Sequence, residues 1–306
     1  MLIFTALLSE LSVAHAGTVG LMKVNGPIFV IVMENTSWAE IKGSKDAPYI
    51  NSLLSHPQAS FASNYHNPPG IHPSLGNYLR MEAGTRFGIK DNRDPTDPAN
   101  QLHGQTHLVK QLQKSGISWK TYLENISGYD CPLSTNGLYA PKHNPFIYFD
   151  DVTDGFNPAS PYCIAHVRPF TELANDLISN LIAKYILITP ILCNDMHDSC
   201  APTNNAIKQG DNWLKAVVPA ILASRAYQKN GALIITWDEA GFTWDEASTK
   251  DGPIGFILLS SHAKGKGYAN KIYYNHASLL RTIETINGLP YLNDAQNQLD
   301  MSDLFK

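Results

Sequence analysis

Pro27-Ile-Phe-Val-Ile-Val-Met-Glu-Asn35 is an unbroken apolar, β-branched run that stops abruptly at an acid and an amide. Such a run lacks the polar–apolar alternation of a half-exposed strand, so it reads as a strand buried on both faces that ends in a polar loop. The pattern recurs twice. Tyr185 to Thr189 runs into Pro190 and the polar stretch Asn194 to Asp198, and Ala232 to Trp237 runs into Asp238 and Glu239. Between these strands lie segments of helical spacing: Pro48 to Ser55, Leu75 to Ala83, His107 to Lys114, Phe170 to Ile182, Ala206 to Arg225 and Ser278 to Asn287. Strands alternating with helices predict an α/β fold with a mainly parallel sheet sandwiched by helices. The stretches Thr85 to Gln101 and Asn125 to Pro169 show little periodicity and read as loop-rich insertions rimming the site.

The rest of the chain agrees with one compact unit. Its 306 residues are 43% apolar and only 16% charged, with 21 glycines and 19 prolines, and no linker or repeat divides them. The formal charge of -4 comes without a dense Lys/Arg cluster, so nucleic acid is not an expected partner. Residues 1–16 carry an apolar run, Leu2 to Leu8, followed by Ala14-His-Ala16, a small-residue cleavage pattern. They read as a signal peptide preceding one domain over 17–306, hence a secreted or periplasmic protein with no stable membrane anchor. Four cysteines fit an oxidising compartment. Sequence permits three connectivities, and the one whose two bridges close local loops, Cys131–Cys163 with Cys193–Cys200, is favoured.

In a doubly wound sheet, ligands bind beyond the carboxyl ends of the strands. Glu34, Asn35, Asp195, His197, Asp238 and Glu239 all fall there. Glu34, Asn35, Asp238 and Glu239 are hard oxygen donors, suited to one divalent cation; calcium, magnesium or manganese is favoured, with zinc left open by the nearby histidines. Ser74 opens a helical pattern after Pro73, where free backbone N–H groups favour an anion, and Asn77 lies on the same helix face. A serine there is read either as a nucleophile or as a simple helix cap. His72, His143, His197 and His276 sit in polar contexts where a histidine can neutralise phosphoryl charge or move a proton.

Seven motifs then occur in one order: Val30-Ile-Val-Met-Glu-Asn35, His72-Pro-Ser-Leu-Gly-Asn-Tyr78, Lys142-His-Asn-Pro145, Asn194-Asp-Met-His-Asp198, Gly210-Asp-Asn-Trp-Leu214, Thr236-Trp-Asp-Glu239 and His276-Ala-Ser-Leu-Leu-Arg-Thr-Ile-Glu284. Together they resemble the phosphoesterase family of acid phosphatases and phospholipases C, above all its small secreted acid phosphatases, including those acting on phosphatidylinositol 3-phosphate. The resemblance covers roughly residues 27 to 290 and implies an alkaline-phosphatase-like core. It implies that Glu34, Asn35, Asp238 and Glu239 surround the metal together with the Ser74 hydroxyl. It further implies that Ser74 is the nucleophile of a phosphoserine mechanism, and that His143 and His197 face the phosphoryl group. His72, Asp195 and His276 match motif positions without separable roles. Two positions depart from the family pattern, Ala240-Gly241-Phe242 after the acidic pair and Gly76 in the serine motif. The expected substrate is a small phosphomonoester or phosphoinositide; the alternatives are a phospholipase C-type phosphodiesterase and a non-catalytic cation-binding surface protein.

Overall fold

The structure is a computed structural model that describes residues 22–241 and 252–306. The expected signal peptide and Phe242 lie outside the described residues. Among the described residues ten strands form: β1 Ile28–Met33, β2 Ala59–Ala62, β3 Tyr65–His66, β4 Trp119–Leu123, β5 Val167–Pro169, β6 Tyr185–Thr189, β7 Ala232–Trp237, β8 Phe256–Ser260, β9 Tyr268–Asn270 and β10 Tyr274–Asn275. Eight of them make one sheet in the order β5-β4-β6-β1-β7-β8-β2-β9, while β3 and β10 pair separately. The run from β5 to β7 is parallel; β8 runs against both of its neighbours. The sheet is therefore mixed, with its parallel half carrying the chemistry-bearing strand ends.

Burial explains the uniform apolar runs. Every residue of β1, β6, β7 and β8 is buried, since helices cover both faces. The helices follow the predicted periodicity: Pro48–Leu53, Ser74–Ala83, Leu108–Lys114, Leu173–Ser179, Ala206–Ala223 and His276–Asn287. The segment from Phe170 divides into a 3₁₀ turn, Phe170–Glu172, and a helix that ends where Asn180 adopts a left-handed conformation, φ 54°. The expected disulfides both form, Cys131–Cys163 and Cys193–Cys200.

The insertion Asn125 to Pro169 is more ordered than its lack of periodicity suggests: it contains short helices and β5, and Phe146, Ile147, Tyr148 and Phe149 are fully buried. Its proline-punctuated 3₁₀ turns hide any regular period, and tertiary burial holds them in place.

The core also contains a misfit carboxyl group. Glu284, on the helix His276–Asn287, is fully buried; Oε1 accepts from the Leu292 N–H at 2.9 Å, while Oε2 has no hydrogen-bond partner among the described residues. Burial pushes its carboxyl up to about 8, against the Leu292 N–H and Arg281 and with help from Glu82. Because the folded value is raised, the native state keeps a proton that the unfolded chain has lost. The stabilisation is full below the ordinary value of 4.5 and is lost as pH rises towards about 8. Glu284→Gln should therefore be more stable than the parent at pH 8, on the order of 4 kcal/mol, with a difference below about 1 kcal/mol at pH 5. Urea midpoints at the two pH values check this, and equal shifts at both would refute it.

Candidate active site

Strand pairing brings the acidic motifs together. Met33 and Trp237 are register partners, so Glu34-Asn35 and Asp238-Glu239 leave the sheet side by side. The Asp238 N–H donates to Met33 O at 2.9 Å, and the Asn35 N–H donates to Asp238 Oδ1 at 3.1 Å. Asn35 adopts φ 40°, a left-handed turn that asparagine tolerates better than most residues. From the end of β6, the loop closed by Cys193–Cys200 delivers Asp195, whose carbonyl accepts the Glu34 N–H at 2.7 Å. Asp195 Oδ1 accepts the His197 N–H at 2.8 Å.

The helix Ser74–Ala83 closes one side. Pro73 occupies the cap position, and Ser74 Oγ donates to Glu34 Oε2 at 3.1 Å. Ser74 therefore does not act as a helix cap. Asn77 and Tyr78, three and four residues on, share its face. Asn77 Nδ2 donates to Glu239 Oε2 at 2.9 Å, and Tyr78 O–H donates to Glu34 Oε1 at 2.6 Å. His72 Nδ1 lies 2.7 Å from Glu239 Oε2. Gly76 faces a side wall, where an added Cβ would lie 3.1 Å from the Ile71 Cγ2.

His143 arrives from the buried 3₁₀ turn Pro141–His143. Its Nε2 lies 3.1 Å from Glu34 Oε2 and its Nδ1 3.3 Å from Asp195 Oδ2, with the Tyr78 ring stacked at 5.3 Å. These are charge contacts, since neither ring nitrogen meets hydrogen-bond angles. Burial opposes charge on both partners, but each stabilises the other. Glu34 is thereby taken down to about 2, and His143 is lifted to about 9. Asp195 is pushed up to about 6, chiefly by burial. Asp238 is held well above the usual range by burial and by the like charges of Glu34 and Glu239. Burial also raises Glu239, with His72 pulling the other way.

Four carboxylates, those of Glu34, Asp195, Asp238 and Glu239, are thus buried at one sheet end. Ligand atoms of Glu34, His143 and Asp195 lie within 4.8 Å of one another and could hold a metal ion. Asn35 Oδ1, Asp195 Oδ2 and Asp238 Oδ2 are buried with no hydrogen-bond partner among the described residues. Unsatisfied buried oxygens and mutually repelling carboxylates are what a divalent cation would resolve, so the residues fit one.

Two predicted residues are placed differently from their neighbours. His276 lies behind the carboxylates: its Nε2 donates to the Asp238 carbonyl at 2.5 Å, and its Nδ1 accepts from Tyr65 O–H at 2.9 Å. Burial lowers it to about 3, so it is a neutral prop for the strand end. His197 does not contact the carboxylates of Glu34, Asp238 or Glu239 among the described hydrogen bonds; its Nδ1 lies 2.7 Å from Asp198 Oδ1 and its Nε2 lies 2.9 Å from Lys142 Nζ. Sequence reasoning did not single out Tyr78 or Lys142 for roles in the site. Tyr78 was open to detection by its i+4 spacing from Ser74, whereas Lys142 is distinguished only by tertiary placement.

The sequence matches the Phosphoesterase family over residues 56–290. The chain is 29% identical over 278 residues to a phosphatidylinositol-3-phosphatase of Mycobacterium tuberculosis, covering 91% of this chain and 82% of that protein. It is 28% identical over 229 residues to a phosphate-repressible acid phosphatase of Penicillium chrysogenum, covering 72% of this chain but only half, 50%, of that relative's length. Among solved structures, it resembles a lipoteichoic acid synthase from Listeria monocytogenes with a TM-score of 0.60 at 10% identity, covering 91% of this chain and 77% of that one. A protein in the alkaline phosphatase superfamily from Vibrio parahaemolyticus aligns with a TM-score of 0.53 at 10% identity, over 86% of this chain and 66% of that one. The fold is that of the alkaline phosphatase superfamily, and the chain belongs to the phosphoesterase family.

Proposed function

We propose that the protein is a secreted, metal-dependent acid phosphatase that hydrolyses phosphomonoesters through a phosphoserine intermediate. The observation that carries this reading is the Ser74 hydroxyl, the first residue of a ten-residue helix, hydrogen-bonded to Glu34 amid the buried carboxylates. The similarity to phosphatases supports the same chemistry. Two disulfides, and no described helix long and apolar enough to cross a membrane, fit an exported domain over 17–306.

Glu34, Asn35, Asp238 and Glu239 would hold the cation with Ser74 Oγ, and Asp195 and His143 complete the cluster. A bound divalent cation supplies positive charge that favours the serine alkoxide and offsets phosphoryl charge; calcium, magnesium or manganese suits this oxygen-rich set. The remaining work falls to the chain. Glu34 fixes the Ser74 rotamer, and Tyr78 and His143 in turn fix Glu34. Ser74 Oγ attacks phosphorus as the alcohol leaves on the opposite side. Water then attacks the phosphoserine, returning Ser74 and releasing phosphate. His72, its side chain 32% exposed beside the buried Glu239, could hand a proton to the departing alcohol.

The test is turnover of p-nitrophenyl phosphate, a phosphoinositide and bis-p-nitrophenyl phosphate, before and after chelation and metal return. Monoester hydrolysis lost to chelator and restored by metal is expected. Turnover confined to the diester would overturn the monoesterase assignment.

A further inference from the structure

Several partly buried cations of this protein face a carboxylate: Arg80 faces Asp294, Lys110 faces Asp151, Lys120 faces Asp176 and Arg168 faces Glu172. Lys142 does not. It is half-buried, and among the described residues no carboxylate lies within ion-pair distance of its Nζ. Its partner is instead a ring nitrogen, His197 Nε2 at 2.9 Å.

The tautomer follows from the contacts. Asp198 Oδ1 accepts from His197 Nδ1 at 2.7 Å, so Nδ1 carries the proton. An ammonium only donates, so Nε2 offers its lone pair to Lys142. The chain Asp198–His197–Lys142 thus orients the ammonium through one of its three N–H bonds and leaves two for another acceptor. His197 in this arrangement is not free to act as a general acid through Nε2.

The location is equally specific. Lys142 precedes His143 in the same 3₁₀ turn, and the His143 and His197 rings lie 5.8 Å apart. Its positive charge is felt by both Glu34 and Glu239, the carboxylates that flank the Ser74 helix. A cation held over that end of the sheet, with spare donors and no carboxylate of its own, is built for an anion that comes and goes.

Resting on the phosphatase reading above, we infer that Lys142, oriented by His197 and Asp198, grips a non-bridging oxygen of the phosphoryl group and selects monoester dianions over diesters. Near pH 7 a phosphomonoester carries about two negative charges, with a second pKa of about 6, whereas a diester carries one. An ammonium aimed at a non-bridging oxygen rewards the extra charge, and the reward is large where water is excluded. His197 and Asp198 are positioning residues in this scheme.

The experiment compares the intact metal-loaded protein with Lys142→Met and Lys142→Arg. Read-outs are kcat/KM for p-nitrophenyl phosphate and bis-p-nitrophenyl phosphate, and binding of inorganic phosphate by calorimetry. Lys142→Met is expected to lower monoester kcat/KM by about 100-fold, diester kcat/KM by less than about 3-fold, and phosphate affinity in parallel with the monoester loss. Lys142→Arg, which keeps the charge, should recover most of both. Equal loss on monoester and diester would show a structural role and overturn the inference, as would unchanged phosphate binding. If the parent protein turns over neither ester but binds phosphate in a Lys142-dependent way, the hydrolase reading fails while the anion site stands.

Discussion

Ser74→Ala should abolish phosphomonoester hydrolysis while leaving the fold intact. Two roles for this serine predict different results. As a helix cap it would contribute about 1 kcal/mol of stability and nothing to turnover. The geometry excludes that role, because Pro73 is the cap and the Ser74 hydroxyl donates outward to Glu34. As a nucleophile its loss removes the covalent route, so kcat should fall on the order of 10³-fold or more, equivalent to about 4 kcal/mol of transition-state stabilisation. The structural cost is small in comparison. Glu34 keeps Tyr78 and His143 when the Ser74 hydrogen bond goes, so unfolding stability should change by about 1 kcal/mol. Turnover of p-nitrophenyl phosphate and urea unfolding, measured on the same preparation, check both halves. A variant that is less stable but still fast would refute the mechanism.

The helix and strand patterns were legible in proportion to their regularity. The Pro27 to Met33 run and the strands ending at Thr189 and Trp237 are buried on both faces, so composition alone marked them and their polar ends marked the site. β4 and β8 were not identified from their sequences. β4 mixes Trp119, Lys120 and Tyr122, and the Lys120 ammonium reaches out to Asp176, so its pattern is not uniformly apolar. β8 follows residues outside the described structure, and its antiparallel direction is a property of pairing that no local pattern encodes.

The motifs also divide by role in a way spacing could not show. Gly210-Asp-Asn-Trp-Leu214 supplies scaffold: Asp211 accepts the Tyr49 and Ile50 N–H groups at the start of the helix Pro48–Leu53, and Trp213 Nε1 donates to Glu124 Oε1. Glu124 Oε2 in turn accepts from the Ile191 N–H and Asn194 Nδ2, which steadies the loop that carries Asp195. His276 belongs with this framework, because its ring serves the Asp238 backbone. His143 differs. Its neighbours in sequence say only that it is a polar-context histidine, and burial between Glu34 and Asp195 is what makes it part of the cluster.

Asp238→Asn tests that cluster from the opposite direction, through stability as well as rate. Asp238 is fully buried, with Glu34 and Glu239 as like-charged neighbours, and its Oδ2 has no hydrogen-bond partner among the described residues. Without a cation its charge is opposed by burial and repulsion, so an amide of the same shape should leave the metal-free protein as stable as the parent or more so. With a cation the sign reverses, since the same charge is what attracts the ion. If the parent binds metal at 100 times its Kd, the ion stabilises it by about 2.7 kcal/mol, and a 100-fold weaker site keeps only about 0.4 kcal/mol of that. Asp238→Asn should therefore melt at or above the parent in chelator, melt below it in saturating metal, and need roughly 100-fold more metal for half-maximal turnover. The Asn35 N–H can still donate to the retained side-chain oxygen, so the backbone turn does not confound the comparison. A variant that melts lower than the parent in both conditions would make Asp238 a structural residue, and one with an unchanged metal requirement would remove it from the ligand set.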